Sequence, residues 1–565
     1  MRAHFGSVSW VFAFLFLFFK PISGFSSEQV YQLVQAESQK GVIDASFIKN
    51  LKIEAKKYAY PGEGRVTPEL QETLLKIESE FYSLFSEDAK ASYQELVAEL
   101  GAKMKHPIRL PAQTQPFWLL QEGEWVNYRS TAELPREAGI VIIGAGLTGA
   151  SAAYHAFALS DEVREGRKSV VVLEAGQPGS GASGHNGGNF QLLSESYTGH
   201  AYEGLIQERF KILSARYPGR DDAVLREKAK EQAEAIVRFS EANFERFVNL
   251  VEREKIECDF SRSGWLRTCA SQEEEASMLA DTAWLAEMNV KPKMEVWSSE
   301  KMEAELHVKS PFRGRFALGN GNYHPYKYLT GVFRLLLKKG LKLYTGVKVS
   351  RVESEASGRV RVETPIGVIY AEKVIVATNA FTPQLFPQFN MIHTVPSQIM
   401  NLEHIEDPLQ GATVTERGGD IYYNFPRSQQ YVDASGTRRG MLHYGLDYDF
   451  AVEDPTRLPI STEYLEEMLA QTSERFPGTE GQPPSRMWTG PMAFTDDRTP
   501  LIGFMPLAEN PKEENKDIVM AVAFQGYGGS FCAQAGYAAA HAVFSGEIDS
   551  VAPQKVFSPL RYFNP

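Results

Sequence analysis

The sequence predicts an α/β unit with a buried parallel sheet, a second sheet of antiparallel α+β type, and a helical extension at the amino terminus. Three patterns support this assignment. A short, wholly apolar strand is typical of strands buried on both faces of a parallel sheet, and here it leads into a GxGxxG turn and a helix. Later stretches alternate apolar and polar residues, as half-buried strands do. An early segment repeats apolar residues at three- and four-residue spacing, which indicates amphipathic helices.

Composition and charge limit the class of protein. The chain has 565 residues, of which 43% are hydrophobic and 23% charged, as in an ordinary globular protein. Its 59 basic and 71 acidic residues give a net charge of −12 with no long Lys/Arg run, so no nucleic-acid partner is expected. Cys258, Cys269 and Cys532 show no CxxC spacing, and no HExxH motif or close Cys/His cluster is present. No metal site and no disulfide framework are therefore predicted.

The amino terminus predicts export or membrane anchoring. Arg2 precedes an apolar run at residues 8–19, which is shorter than the roughly 18 residues that span a bilayer. Pro21 then ends the run, and small residues follow it. Residues 1–25 are interpreted as a signal peptide or an uncleaved anchor, so the protein is expected to be exported, periplasmic or membrane-anchored. A buried core helix is the alternative.

Residues 26–112 predict a helical extension. One stripe of apolar residues at helical spacing comprises Leu70, Leu74, Ile77, Phe81 and Leu84. Prolines at positions 107, 111 and 116 then mark a linker. Such a stripe is typical of a packing surface, and no chemistry is assigned to it.

The strongest chemical signal is a dinucleotide-binding pattern that begins at Gly139. In order, an apolar strand, a GxGxxG turn, a helix of small residues and a second apolar strand lead to a carboxylate, Glu174. In this pattern the glycines allow a tight turn, close approach of a pyrophosphate, and close packing of helix on strand. The helix amino terminus stabilises negative charge, and the carboxylate accepts hydrogen bonds from a ribose. The predicted contacts are Gly144, Ala145, Gly146, Leu147, Thr148, Gly149, Glu174 and Ala175.

A second glycine-rich segment indicates the kind of dinucleotide. Residues 181–188, GASGHNGG, are too rich in glycine for a helix or strand, and their backbone amides can approach a flat ring. Here the sequence resembles the D-amino-acid-oxidase-like superfamily of FAD-dependent oxidoreductases, especially its gamma-glutamylputrescine oxidase and glycine/sarcosine oxidase branch. That group has a related GxSGxNGG segment, often with arginine at the position of His185. The resemblance implies flavin contacts from Ala182, Ser183, His185, Asn186, Gly187 and Gly188.

The resemblance extends from about residue 117 to residue 542 and implies further FAD contacts. Residues 340–352 resemble the strand whose backbone meets the adenine, and residues 372–380 resemble the strand that returns to the dinucleotide fold. Residues 523–530 resemble a segment that caps a helix beside the flavin pyrimidine, where a helix amino terminus stabilises negative charge. The contacts implied in these three segments are Val347, Val349, Ala377, Thr378, Gly526, Tyr527, Gly528 and Gly529.

The resemblance also implies that an FAD-binding Rossmann-like domain is interleaved with an antiparallel-sheet substrate domain. The FAD-binding domain is expected to comprise residues 113–250, 336–390 and 486–565, and the substrate domain residues 251–335 and 391–485. The substrate sheet is expected to cover the flavin. FAD is expected to be non-covalently bound, with apolar packing as the interpretation of Cys532.

The chemistry implied is oxidation of the C–N bond of a primary or secondary amine or a small amino acid, by hydride transfer to flavin. Tyr422 and Tyr527 could enclose an amine, and Tyr423 and Tyr444 are further aromatic candidates. His443 could accept the amine proton, and Arg427 could pair with a substrate carboxylate. Packing in the sheet, or a solvated position for the arginine, is the alternative interpretation of each of these residues.

Oxygen is the expected electron acceptor, and a membrane carrier is the alternative. Oxygen would make the protein an oxidase, whereas an anchoring amino terminus is compatible with a dehydrogenase that feeds a membrane carrier. Two further hypotheses are a flavin-binding protein without turnover, whose extension docks a partner, and a flavin-dependent RNA-modifying enzyme. The acidic charge opposes the last of these.

Overall fold

The computed structural model describes residues 27–48, 73, 76–77, 80–101, 116–120, 123–192, 201–291, 293–405, 412–418, 422–424, 427–432, 438–448, 450–475, 479 and 481–563. The predicted signal or anchor at residues 1–25, and Leu70 and Leu74 of the apolar stripe, lie outside these residues. Within them, no helix combines the length and apolar character that crossing a bilayer requires. The same residues contain no cluster of His, Cys, Asp and Glu suited to a metal ion.

The helices and strands alternate along most of the chain. The α-helices are α1 (Ser27–Ser38), α2 (Glu87–Gly101), α3 (Leu147–Leu159), α4 (Asp161–Arg164), α5 (Ala182–His185), α6 (Ala201–Arg216), α7 (Asp222–Glu254), α8 (Gln272–Glu287), α9 (Ser299–Leu306), α10 (Pro325–Lys338), α11 (Thr382–Leu385), α12 (Thr462–Arg475), α13 (Gly528–Ser545) and α14 (Gln554–Phe557). The strands are β1 (Glu137–Ile143), β2 (Val170–Leu173), β3 (Asn189–Phe190), β4 (Trp265–Arg267), β5 (Met294–Trp297), β6 (Gly314–Ala317), β7 (Gly321–Asn322), β8 (Lys342–Tyr344), β9 (Arg351–Ser354), β10 (Val360–Thr364), β11 (Gly367–Val376), β12 (Ile392–Ile405), β13 (Thr413–Gly418), β14 (Tyr422–Asn424), β15 (Arg427–Val432), β16 (Arg438–Asp447), β17 (Arg486–Thr495), β18 (Leu501–Pro506) and β19 (Glu514–Val522).

The chain divides into two compact units, one of residues 1–110 with 461–467 and one of residues 111–460 with 468–565. The first unit has its own small core, formed by Val34, Ile43, Phe47, Ile48, Ile77, Phe85, Ala89 and Tyr93. Ile77 is fully buried, as the apolar stripe predicts. Leu84 is 37% exposed, because it lies in a 3-10 turn, Tyr82–Leu84, that breaks the α-helical spacing. The prediction that Leu84 belongs to the buried helical stripe is therefore wrong.

The second unit contains a mostly parallel sheet of eight strands. Its order is β18-β19-β11-β1-β2-β8, with β10 beside β11 and β9 beside β10. Strand β1 runs parallel to β11 on one side and to β2 on the other. Every residue of β2 is buried, as expected for the apolar run VVVL in a sheet covered on both faces.

Helix α13 packs closely on α3 against this sheet. The Ser151 hydroxyl donates to the Ala533 carbonyl oxygen at 2.6 Å. A Cβ on Gly536 would lie 2.6 Å from the carbonyl oxygen of Thr148, so only glycine fits at this crossing. The contact joins a helix from the start of the dinucleotide fold to one near the carboxyl terminus.

The nine-stranded second sheet supplies the expected antiparallel layer. Its order is β17-β12-β16-β15-β13-β4-β6-β5, with β14 beside β13. Its pairs are antiparallel except for the parallel pair β13 and β4. The predicted α/β plus α+β fold class is confirmed. Strand β17 belongs to this sheet through β12, so the sheet continues past residue 485, where the sequence places the end of the substrate domain.

Candidate functional site

One cavity of about 990 Å³ lies between the two sheets of the second unit. Its wall includes the carboxyl ends of parallel strands, at Ile143 of β1 and Leu173 of β2. Ligands of open α/β sheets bind at this edge. The opposite wall consists of residues from β12, β16 and β17. The volume is at the upper end of the range for small-molecule and cofactor sites, about 300–1,000 Å³.

Backbone contacts require glycine at two positions of the GxGxxG turn, and the third glycine lies against a serine side chain. Gly144 has φ of +108°, and a Cβ there would lie 2.6 Å from the carbonyl oxygen of Ala377. A Cβ on Gly146 would lie 2.7 Å from the Ser183 hydroxyl oxygen. A Cβ on Gly149 would lie 1.9 Å from the carbonyl oxygen of Gly144, so the helix touches the turn directly. The positive φ of Gly144 and the contact of Gly149 agree with the tight turn and the close helix packing that the sequence pattern predicts for these two glycines.

The amino terminus of α3 opens into the cavity. Gly146 caps the helix without a side-chain hydrogen bond, and Leu147 and Thr148 line the cavity with it. The Leu147 amide donates to the Ser183 hydroxyl at 3.0 Å. A helix end of this kind carries partial positive charge and binds phosphate groups.

Glu174 connects the turn to the end of β2. Its carboxylate accepts hydrogen bonds from the Ala145 amide at 2.7 Å and the Gly176 amide at 2.8 Å. Burial raises the pKa of Glu174, and the backbone hydrogen bonds oppose this rise. The side chain also lines the cavity. Each carboxylate oxygen has two lone pairs, so ribose hydroxyls can bind while the backbone contacts persist.

The glycine-rich segment after β2 contains a turn of helix, α5, at Ala182–His185. The prediction that this segment is too rich in glycine for a helix is therefore wrong. Side chains stabilise the turn, because His185 Nδ1 donates to the Gly181 carbonyl at 2.9 Å and Asn186 Nδ2 donates to the Ser183 carbonyl at 2.8 Å. Burial lowers the pKa of His185, which favours the neutral imidazole with its proton on Nδ1.

Most of the predicted cofactor contacts line this one cavity. They are Gly144, Gly146, Leu147, Thr148, Glu174, Ala175, Ala182, Ser183, His185, Asn186, Gly187, Val347, Val349, Ala377, Thr378, Gly526, Tyr527, Gly528 and Gly529. Ala145, Gly149 and Gly188 are absent from the lining. Ala145 and Gly188 instead hold lining side chains through their amides, the latter by donating to Asn186 Oδ1 at 2.6 Å.

The loop between β19 and α13 has a strained backbone beside the cavity. Ala523 and Gln525 have φ of +61° and +55°, which L-residues rarely adopt. Asn379 Oδ1 accepts from the Ala523 amide at 2.9 Å, and Gln525 Nε2 donates to the Ala523 carbonyl at 2.6 Å. The loop leads to α13, whose first residue follows Tyr527 without a side-chain cap. Sequence reasoning missed Asn379, although it lies in a turn that the resemblance places near the flavin.

Two of the four predicted catalytic residues have described side chains, and both line the cavity. His443 and Tyr527 line the cavity, and the His443 ring lies 4.8 Å from the ring of Trp118. Tyr422 and Arg427 begin β14 and β15, and the backbone of Arg427 pairs with that of His443. The side chains of Tyr422, Tyr423 and Arg427 lie outside the described residues. Tyr444 is buried away from the cavity lining and donates to Gln471 Oε1 at 2.5 Å, which agrees with its interpretation as packing.

Asp447 is a cavity carboxylate that sequence reasoning missed. It ends β16, and burial raises its pKa to about 6, while a hydrogen bond with Ser397 acts in the opposite direction. His443, Gly445 and Asp447 alternate along β16 and all line the cavity. No local sequence signal distinguishes Asp447 from other aspartates of the chain.

Further features of the lining test whether a flavin dinucleotide fits. The side-chain oxygens Asn189 Oδ1 and Gln191 Oε1 are buried without a hydrogen-bond partner among the described residues, and both residues line the cavity. Buried polar atoms of this kind require a partner, which a polar ligand edge can supply. Burial raises the pKa of Cys532 to about 12, so its thiol is protonated and poorly suited to covalent attachment. Together with two helix amino termini, these features fit a non-covalently bound flavin dinucleotide.

Comparisons with known proteins agree with this geometry. The sequence model of the FAD dependent oxidoreductase (DAO) family matches residues 139–542. The chain is 25% identical over 377 residues to "Probable oxidoreductase OrdL" of Haemophilus influenzae, covering 65% of this chain and 75% of that protein. It is 23% identical over 366 residues to gamma-glutamylputrescine oxidoreductase of Escherichia coli, covering 64% of this chain and 76% of that protein.

Solved structures share the fold at low sequence identity. L-proline dehydrogenase from P. horikoshii superposes with a TM-score of 0.57 and 17% identity, covering 76% of this chain and 99% of that chain. Glycine oxidase from Geobacillus kaustophilus gives a TM-score of 0.54 and 16% identity, covering 75% and 98%. At such identities the likeness establishes the fold alone.

Proposed function

Since this chain belongs to the FAD dependent oxidoreductase (DAO) family, we propose that it oxidises the C–N bond of a primary or secondary amine or a small amino acid. Its cofactor is FAD, and its type is that of the amine and amino-acid oxidoreductases. Bound FAD supplies the hydride-accepting chemistry. One observation carries the proposal: a single cavity extends from the GxGxxG turn to a wall of β12, β16 and β17 that a small substrate can reach.

The residues of the turn would bind the dinucleotide. The amino terminus of α3 at Gly146 and Leu147 is suited to the pyrophosphate, and Glu174 to the ribose hydroxyls. The amino terminus of α13 at Gly528 faces the same cavity, where its partial positive charge would stabilise an anionic reduced cofactor.

The opposite wall would orient the substrate and exclude water. Burial favours the neutral form of His185. His443 is buried in the same wall, and Tyr527 contributes an aromatic ring at the start of α13. An amine must be neutral before its neighbouring C–H can leave as hydride, and His443 is the proposed proton acceptor. Tyr422 and Arg427 remain predicted contacts, to an amine and to a substrate carboxylate respectively.

Glu174→Ala is expected to weaken FAD binding by at least about tenfold. The change removes the proposed acceptor of the ribose hydroxyls, and a hydrogen bond to a charged group contributes about 1.5–3 kcal/mol. It also frees the Ala145 and Gly176 amides that the carboxylate holds beside the cavity. Titration of apo-protein with FAD, followed by flavin fluorescence, measures the effect. Glu165→Ala is the matched control, because Glu165 is 60% exposed and pairs with Arg167 on the surface. Equal FAD affinity in the two variants would contradict the role of Glu174.

Oxygen is the proposed electron acceptor, and a membrane carrier is the second candidate. The apolar run at residues 8–19 favours the second candidate if it is an uncleaved anchor, because an anchored chain would lie beside the membrane. Oxygen consumption with peroxide release supports the oxidase, whereas peroxide-free turnover with a quinone analogue supports the dehydrogenase. Cell fractionation with amino-terminal sequencing of the mature chain tests the proposed export.

Anaerobic mixing of the purified holoprotein with amines and amino acids is expected to bleach the flavin absorbance. A matched pair sharpens the test: isobutylamine carries a hydrogen on the carbon next to nitrogen, and tert-butylamine does not. Only substrates with that hydrogen should reduce the flavin. Dithionite reduction is the control for a redox-competent flavin. A flavin that dithionite reduces but that no member of the panel reduces would refute C–N oxidation.

A further inference from the structure

We propose that the Asp447 carboxylate is the cation-binding group of the substrate compartment, and that the substrate binds as an alkylamine cation rather than as an amino-acid zwitterion. This inference rests on the proposed C–N oxidation and names the charge of its substrate.

The sheet register places Asp447 in a row of three paired residues that crosses β16, β12 and β17 and ends beside the predicted flavin-binding segment. Asp447 of β16 pairs with Ser397 of β12, and Ser397 pairs with Gly490 of β17. All three residues line the cavity. A Cβ on Gly490 would lie 2.9 Å from Cβ of His185, so the row ends against the predicted flavin contacts. Two strand spacings separate Asp447 from that contact, or about 10 Å, which a small alkylamine can occupy.

The charges around the cavity favour a cation over a zwitterion. Among the described side chains that line the cavity, the carboxylates are Glu174 and Asp447, and the lysine is Lys348. Lys348 belongs to the connection between β8 and β9 with the predicted adenine contacts, and its Nζ donates to Gln384 Oε1 at 3.3 Å. Of the described lining residues on β12, β16 and β17, none is a lysine or arginine. Among these described side chains a substrate carboxylate finds no cationic partner, whereas an ammonium group finds Asp447.

Apolar side chains line the cavity together with Asp447. Ile399 of β12 and Leu458 and Ile460 of the segment after β16 line the same cavity. Such side chains suit the alkyl part of an amine, and burial is the main cause of the raised pKa of Asp447. An ion pair with a substrate ammonium would offset the cost of burying the charge.

The raised pKa of Asp447, about 6, predicts how cation affinity depends on pH. Above pH 6 the carboxylate is ionised and binds the cation, and below pH 6 affinity should fall by about tenfold per pH unit. The other titratable side chains of the described lining near this compartment are His443 on the same strand, His185 beyond Gly490, Tyr323 and Tyr527. Arg427 is the strand partner of His443, so the test includes a variant of Arg427.

The test measures binding of two non-oxidisable ligands of similar shape to the full-length holoprotein. They are tert-butylammonium, which lacks a hydrogen next to nitrogen, and pivalate, its anionic counterpart. Flavin difference spectra and titration calorimetry give the affinities. We expect tert-butylammonium to bind the unmodified protein, Asp447→Asn to weaken this binding at least tenfold, and pivalate to bind neither. Glu453→Gln is the matched control, because it removes one negative charge from an exposed residue of the following segment.

The Asp447→Asn variant should fold, because burial disfavours the charge that it removes. Its Tm at pH 7 should equal or exceed that of the unmodified protein. Unchanged tert-butylammonium affinity in this variant, or no binding of this ligand to the unmodified protein, would overturn the proposal. Pivalate binding that Arg427→Met abolishes would overturn it in favour of a carboxylate-bearing substrate.

These results separate the cation site from the redox function. Asp447-dependent cation binding without flavin reduction by any amine or amino acid would leave the site in place and refute C–N oxidation. Flavin reduction by amines at equal affinity in Asp447→Asn would support C–N oxidation and refute the cation site.

Discussion

Gly149→Ala is expected to yield a protein that retains no FAD and is destabilised by about 3 kcal/mol or more. The added Cβ would lie 1.9 Å from the carbonyl oxygen of Gly144, which is backbone and cannot rotate away. Relief requires α3 to move off β1, and this movement displaces Gly146 from the cavity lining. The ratio of flavin to protein absorbance after purification, and chemical denaturation, measure the two effects.

The matched control for Gly149→Ala is Gly166→Ala. Gly166 lies in the same dinucleotide fold with φ of +74°, and a Cβ there meets nothing within 4 Å. This change should cost about 1–2 kcal/mol for the left-handed backbone alone and leave FAD bound. Normal flavin content in Gly149→Ala would show that the helix and turn tolerate separation, contrary to the packing described.

Arg561→Met is expected to destabilise the second unit by about 3–5 kcal/mol, the cost of leaving a buried charge without its partner. Arg561 Nε and Nη2 donate to the two oxygens of Asp497 at 2.6 and 2.8 Å. Its remaining donors reach carbonyl oxygens that include those of Thr499 and Phe557. Chemical denaturation, monitored through flavin release, measures the loss in the free energy of unfolding. Because these contacts tie the chain near its carboxyl terminus to the turn between β17 and β18, flavin release should be affected as well.

The same pair predicts a pH dependence. Burial alone would raise the pKa of Asp497, but the hydrogen bonds and charge of Arg561 outweigh it and hold the pKa below its usual value. A lowered carboxyl pKa contributes stability above the unfolded-state value, near 4, and loses it as the pH falls further. The unmodified protein should therefore lose stability steeply below about pH 4, and Arg561→Met should lack this part of the loss.

Arg167→Met is the control for the change of charge, because Arg167 is 59% exposed and pairs with Glu165 on the surface. An exposed pair contributes at most about 1 kcal/mol. If Arg561→Met were no less stable than Arg167→Met, the buried pair would not anchor the carboxyl-terminal segment.

The dinucleotide half of the site was predictable because its signals are local. Gly144, Gly146 and Gly149 lie within six residues of one another, and each is fixed by contacts inside one strand–turn–helix unit or directly beside it. Apolar runs likewise identify buried parallel strands without knowledge of their neighbours. The resemblance added Val347 and Val349, which the structure places in the same cavity.

Local sequence patterns did not predict helix α5, which side-chain hydrogen bonds stabilise. They also did not predict contacts between segments that are far apart in the sequence. The turn of helix α5 depends on hydrogen bonds from the His185 and Asn186 side chains, which outweigh the glycine content of the segment. Trp118 precedes the GxGxxG turn by a linker, yet its Nε1 donates to the Asn186 carbonyl at 3.2 Å. The spacing of residues in the sequence predicts none of these three hydrogen bonds.

The sequence by itself determined the fold class, the FAD-binding turn and the family, because glycine positions and apolar periodicity act over a few residues. The tertiary structure alone decided which side chains form the substrate wall. Asp447 faces the cavity because β16 pairs with β12, a strand that begins 55 residues before it. Tyr444 is an odd number of positions from Asp447 along β16, so it lies on the opposite face of the sheet, where it donates to Gln471. Strand pairing fixes which face each residue presents, and a sequence pattern with loose alternation does not specify it.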